Sequence, residues 1–227
     1  MSKRAIFLGH LGLGDHIIQQ GIVNGLAEKY EQVLMFAKHH NAHSVQHMCP
    51  ANIYIMSVRD DTDVFQLYPD LAVNNDADII KVGMYNDNWK YFDGAKTTFD
   101  RYFYTQAGVE FDQTYHSPLK DGNARMLWEL DPKESFCFVH DDKSRSFAID
   151  NNRLNTSLPV VRPTIHSNVI FDYLPLLRKA TEIHCIDSSF ALMIDRANDI
   201  KAKKYIHRYL RWDSNNPSYT DGWELLK

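Results

Sequence analysis

Three short stretches carry the residue types that could do chemistry. In "HLGLGDHIIQ", residues 10–19, Asp15 directly follows Gly12-Leu13-Gly14. The run Ala5–Gly9 before it is strand-like, so this aspartate belongs at a strand's carboxyl end. Glycines let a ligand approach the backbone, and a carboxylate beside them is placed to take a proton from a neutral hydroxyl. In "FVHDDKSRSF", Lys143 and Arg145 follow an apolar run that ends at His140. An ammonium and a planar guanidinium suit phosphate oxygens. In "EIHCIDSSFALMID", a third run ends at Asp187, and Ser188 and Ser189 open a helix. Its N–H groups, hydroxyls and dipole favour an anion. The competing readings are plain: Asp15, Asp187 or Ser188 as helix caps, and residues 143–145 as a solvated loop.

The elements that must position these residues follow from periodicity. Apolar runs predict strands at Ala5–Gly9, Gln32–Ala37, Ile53–Val58, Asp78–Val82, Ser135–His140, Pro159–Arg162, Glu182–Ile186 and Lys204–His207. Amphipathic spacing predicts helices over Asp15–Tyr30, Ala42–Met48, Phe99–Ala107, Asn168–Ala180 and Ser188–Asn198. Strand, helix, strand at this rhythm means parallel βαβ units with helices on both faces. The stretch Tyr85–Asp131 breaks the rhythm and reads as a helical excursion, with a hinge near Asp131-Pro132. The expected α/β architecture is two Rossmann-like halves facing a cleft. Residues 1–131 form the acceptor half with the catalytic loop, and residues 132–227 the nucleotide-sugar half.

Other motifs narrow the chemistry. A dinucleotide fingerprint starting at Gly12 needs a third glycine where Ile17 stands, and GxxxxGK[ST] and GxSxG are absent. Lys38, His39, His40 and Asn41 follow the second strand and are placed to line the acceptor side. "VRDDTD" offers Asp61 and Asp63, which could hold a divalent metal on a diphosphate or start a helix. His39, His43 and His47 have helical spacing for zinc, but Asn41 looks like the helix start and leaves His39 outside. The aromatics of "DNWKYFDGAKTTFDRYFYTQAG" read as core more readily than as a sugar platform.

A net charge of -4 offers no global basic field for nucleic acid or membrane. No run is long and apolar enough to span a bilayer. The three cysteines, Cys49, Cys137 and Cys185, form no CxxC pair and read as buried thiols in a reducing compartment. The expected setting is the cytoplasm (the host's, if the chain is viral), for a whole protein or one domain of a longer multidomain chain.

"GLGDHIIQQGIVNGLAEKY" resembles the loop-helix opening of GT-B glycosyltransferases, including the heptosyltransferase-like group. "HDDKSRSFAID" and "EIHCIDSSF" look like donor-diphosphate segments of small GT-B-like enzymes from bacterial and large-DNA-virus glycan clusters. "YIHRYLR" is similar to their closing strand. The nearest resemblance is to rhamnose-transferring domains of chlorovirus multidomain glycosyltransferases. The chain is shorter than the usual GT-B pattern, so it would be a minimal version.

The resemblance implies an inverting transferase. Asp15 is its catalytic base. Gly12, Gly14, His140, Lys143, Arg145, Asp187, Ser188 and Ser189 serve the donor. The co-substrate is a nucleotide sugar, with UDP-L-rhamnose the specific expectation, and the acceptor is a glycan hydroxyl. No cofactor and no metal are required. Two alternatives stay open: a metal-dependent GT-A-type enzyme using Asp61 and Asp63, and a non-catalytic sugar-nucleotide-binding domain.

Overall fold

The computed structural model describes residues 3–111, 119–123, 135–142, 146–154, 156–163, 167–208, 219–220 and 222–226. These residues divide into two compact units, with the change of unit falling between Phe111 and Leu119.

The first unit holds four parallel strands, β1 (Arg4–Leu8), β2 (Gln32–Lys38), β3 (Ile53–Val58) and β4 (Ala77–Lys81), in the order β3-β2-β1-β4. β1 is central, and Ala5 through Leu8 are buried on both faces. This is why the run reads as continuously apolar rather than alternating. Four helices connect or cover the strands: α1 (Leu13–Lys29), α2 (Ala42–Met48), α3 (Asp61–Asn75) and α4 (Phe99–Ala107). Ile6, Leu8, Leu11, Phe36, Val58, Val64, Ala72 and Tyr85 pack as one core cluster.

α1 departs from the amphipathic expectation. Its residues His16 to Val23 are buried without interruption, so the helix is covered on every side rather than along one stripe. α4 supplies part of that cover. The Tyr104 hydroxyl donates to the Ile18 carbonyl at 2.9 Å and accepts from the Gly21 N–H at 3.1 Å.

The second unit holds five parallel strands: β5 (Cys137–His140), β6 (Val160–Val161), β7 (Glu182–Ile186), β8 (Lys203–His207) and β9 (Trp223–Leu226). Their order is β6-β5-β7-β8-β9. One face packs Cys137, Val139 and Ile186 against Ile149 and Leu154. The other stacks Phe138 against Phe190 and meets Tyr173 edge-on. The helix expected over Asn168–Ala180 is shorter than its pattern: a 3-10 turn (Ile170–Tyr173) leads into a single α-helical turn, α5 (Leu174–Leu177). Pro175, with no backbone N–H to give, sits in that turn's first positions. The last helix, α6, runs Ser189–Arg196. β9 is an addition to the expected strands. Asp195 on α6 anchors it by accepting from the Thr220 N–H at 2.9 Å and the Trp223 indole N–H at 2.8 Å. Among the described residues, no helix is long and apolar enough to cross a membrane.

Candidate functional site

Because its strands are parallel, each sheet gathers its carboxyl-end loops along one edge. Ligands of open α/β sheets bind at that edge, above all where the strand order reverses. In the first unit the order reverses between β1 and β4, and there the chain passes from Gly9 to Gly12. A methyl group on Gly9 would lie 1.7 Å from Gln19 Oε1, so any larger residue there has to displace the Gln19 amide. Gln19 Nε2 donates back to the His10 carbonyl at 3.2 Å and fixes the loop.

Asp15 is not the helix cap. The N-cap of α1 is Gly12, in extended conformation and without a side-chain cap bond. Asp15 is the third helical residue, half-buried, with its carboxylate turned back over Gly12. A methyl group on Gly12 would lie 2.4 Å from Asp15 Oδ2. The glycine expected to admit a ligand therefore makes room for the carboxylate. Gly14 is the second residue of the same helix. The positive end of the helix dipole favours the anionic side chain there.

Sequence reasoning missed His10. Its Nε2 accepts the Met84 N–H at 2.9 Å, so the neutral ring carries its proton on Nδ1. The ring meets Trp89 and Phe103 edge-on, with centroids 5.3 Å and 4.9 Å away. Burial pushes His10 below the ordinary histidine range, opposed by the charges of Asp15 and then Asp61. The two carboxylates thus lie within electrostatic reach of one imidazole. Asp61 accepts the Tyr85 hydroxyl at 2.7 Å. Burial first, and Asp61 next, push that phenol well above its usual range.

Gly83 holds the opposite side of this group. Its φ is +61°, and a methyl group on it would lie 2.2 Å from His10 Nε2. Gly83→Ala should therefore cost about 1–2 kcal/mol for the left-handed backbone alone, and displace the imidazole besides. Thermal unfolding measures the first effect, and the chemical shift of the His10 ring reports the second. An unchanged melting temperature would contradict this placement.

Of the residues assigned to the acceptor side, Lys38 ends β2, and His39 and His40 are exposed just beyond it. His39 Nδ1 lies 2.6 Å from Ser57 Oγ. Asn41 is buried at the N-cap of α2, but its side chain makes no cap bond. It donates instead to the Leu11 carbonyl at 3.2 Å, bracing the glycine loop. The Asp-x-Asp acids are otherwise engaged. Asp60 caps α3 through the N–H groups of Thr62 and Asp63. Hydrogen bonds from Arg59 hold the Asp63 carboxyl at about 2, below its ordinary value. Among the described residues, neither these acids nor His39, His43 and His47 join a cluster of three metal-type ligands.

In the second unit the corresponding edge carries His140, Asp187, Ser188 and Ser189. His140 ends β5 and stacks on Phe190, centroids 3.7 Å apart. Ser188 is the extended N-cap of α6, yet its side chain makes no cap bond. Its Oγ is buried with no hydrogen-bond partner among the described residues. Asp187 does not cap α6 either: it accepts the Tyr219 hydroxyl at 2.5 Å, a partner with no signal in the sequence. Ser189 is the first residue of the helix. A hydroxyl and a helix N-terminus thus share one turn, which is the arrangement that suits a phosphate. Lys143 and Arg145 lie outside the described residues.

No family model and no curated protein sequence matches the chain. Solved structures do. One described as a glycosyl transferase family 9 protein from Veillonella parvula DSM 2008 superposes with a TM-score of 0.59 at 8% identity, over 99% of this chain and 85% of that one. E. coli heptosyltransferase WaaC with ADP-2-deoxy-2-fluoro heptose gives 0.51 at 9% identity, over 99% and 93%. The bacterial iron-containing dodecameric glycosyltransferase TibC from enterotoxigenic E. coli H10407 gives 0.57 at 12% identity, over 98% of this chain and 64% of that one. Two parallel sheets with this likeness make the fold GT-B-like, and not that of the metal-dependent GT-A alternative.

Proposed function

We propose that the chain is a glycosyltransferase that moves a sugar from a nucleoside-diphosphate donor to a glycan hydroxyl, with inversion. The observation that carries this reading is the half-buried Asp15 carboxylate at the carboxyl end of the central strand of a GT-B-like fold. His10, held neutral by burial, does not compensate the charge of Asp15. In the proposed reaction Asp15 takes the proton of the acceptor hydroxyl. The hydroxyl oxygen bonds to the anomeric carbon from the face opposite the diphosphate. The bond from that carbon to the diphosphate breaks, and the nucleoside diphosphate leaves with its electron pair. Ser188, Ser189 and the N-terminus of α6 stabilise the departing charge, joined by Lys143 and Arg145 as the sequence assigns them.

The donor is the finer part of the reading. The sequence resemblance supports UDP-L-rhamnose. The heptosyltransferase neighbour, described with an ADP-linked fluoro-heptose, supports an ADP-linked sugar as the second candidate. A thermal-shift panel of nucleosides, their diphosphates and the corresponding sugars separates them. At about 100 times its Kd the matching diphosphate should stabilise the protein by about 2.7 kcal/mol, with the bare nucleoside well behind. Ser188→Ala should weaken the diphosphate and leave the nucleoside unchanged. If no nucleoside diphosphate shifts the transition, the chain is not a nucleotide-sugar enzyme.

A further inference from the structure

Apart from the carboxyl-end edges, the second sheet gathers a different set of side chains at its other end. Cys137 and Glu182 are the first residues of β5 and β7 and lie directly opposite each other in the parallel register. His184, two residues along β7, points to the same face. One ligand atom of each of the three lies within 4.8 Å of the others. We propose that Cys137, Glu182 and His184 form a site for one divalent transition-metal ion of the zinc class, with solvent at the fourth position.

The ligand chemistry fits. Thiolate, imidazole and carboxylate are the groups that zinc takes, with bonds of about 2.0–2.3 Å in a tetrahedron. Ligand atoms in such a tetrahedron stand about 3.5 Å apart, so modest side-chain rotations close the set around an ion. Cys137 and His184 are buried, while Glu182 is half-buried and leaves a path from solvent. A thiolate and a carboxylate together balance a charge of two.

The surroundings orient the imidazole as a ligand. His184 Nδ1 lies 2.8 Å from Nε2 of the buried His207. When His184 Nδ1–H donates to His207, the lone pair left to ligate the proposed ion is that of Nε2. That atom is buried and has no hydrogen-bond partner among the described residues. Such an orphan calls for an explanation in a native structure, and a metal ion supplies it. Tyr205 stacks on the ring with centroids 4.4 Å apart and fixes its plane. A second hydrogen bond of this kind to a ligating histidine is the usual support of metal sites. The cation whose charge acts on Cys137, Arg162, is engaged elsewhere. Arg162 is held by Asp141 at 3.0 Å, the Asn151 side chain at 2.9 Å and the Ile149 carbonyl at 2.7 Å.

In the absence of metal, burial and the Glu182 charge push the Cys137 thiol up to about 12. An incoming ion displaces that proton to solvent, so binding strengthens as pH rises. The cluster lies at the opposite end of β7 from the Ser188 turn, so its role is separate from the proposed diphosphate grip.

The test uses the full chain, stripped with chelator and titrated with Co²⁺ and Zn²⁺. One equivalent of Co²⁺ should bind with a thiolate-to-cobalt charge-transfer band and strong visible bands of a four-coordinate ion. Zn²⁺ should displace it and raise the melting temperature. Cys137→Ser should abolish the charge-transfer band. Cys185→Ser should keep it, because Cys185 pairs with His140 and faces the other side of the sheet. Glu182→Gln, at the half-buried position, keeps the fold testable if the buried variants fail, and should weaken binding by more than about tenfold. Sub-stoichiometric binding, Co²⁺ bound without the thiolate band, or a band that persists in Cys137→Ser would each overturn the proposal.

Discussion

Asp15→Asn should lower turnover by about 10²–10⁴-fold while leaving the affinity for the nucleoside-diphosphate donor nearly unchanged. The substitution keeps the size of the side chain and its place above Gly12, where a methyl group would already meet Oδ2. It removes only the basic oxygen. A neutral amide does not accept the acceptor's proton, so the loss should fall on kcat. The melting temperature should fall only modestly, because the amide keeps the side chain's place over Gly12 and loses mainly the charge's interaction with the helix dipole, about 0.3–1 kcal/mol. Single-turnover rates with saturating donor check the first part, and donor titration the second. The outcome also separates an enzyme from a sugar-nucleotide binder, since a binder would show no turnover for the substitution to remove. Wild-type turnover in Asp15→Asn would sink the mechanism.

The strands were legible because they are short apolar runs. β1 to β8 all lie within two residues of their expected bounds at each end. Helices α2 and α4 match their patterns residue for residue. What escaped did so for physical reasons. In α3 the sequence marked only the acidic start and the few residues after it. Pro69 lies inside the helix, and Phe65, Leu67 and Val73 are exposed, so no clean apolar stripe announces its full length. β9 is only four residues long, Trp-Glu-Leu-Leu, too short to stand out as a run, and its anchor is Asp195, far away in sequence.

The site shows the same division. Asp15 and Ser188 announce themselves by following glycines or a strand. His10 stands inside the quoted loop, but its importance comes from the Met84 N–H and from Asp61, 74 and 51 residues on, which no local spacing reveals. Tyr219 reaches Asp187 in the same long-range way. Asn41 was placed beside the site by its position after β2, yet its contact is with the Leu11 backbone, so it acts on the loop itself.

His16→Leu should flatten the acid limb of the stability curve. His16 follows Asp15 on α1 and is 3% exposed, and neither ring nitrogen has a hydrogen-bond partner among the described residues. Burial alone drives its pKa from 6.5 to about 3. Between those values the unfolded chain takes up a proton that the folded chain does not. Unfolding is then favoured as pH falls, at about 1.4 kcal/mol per pH unit. The contribution is intact above pH 6.5 and is lost progressively as pH falls toward 3. From pH 6.5 to pH 4 the wild type should lose roughly 3 kcal/mol through this residue. Leucine has no proton to bind in either state, so the variant should be spared that loss. At pH 7 the two should differ by about 1.5 kcal/mol or less, because an apolar side chain of similar size replaces a ring with no polar partner. Denaturant unfolding of both proteins at several pH values reads the difference directly, and parallel curves would mean that His16 is solvated or paired in the folded protein. The same pair of proteins sorts the acid loss of turnover. A loss that disappears in His16→Leu reports unfolding of the first turn that carries Asp15, whereas one that persists reports protonation of the base itself.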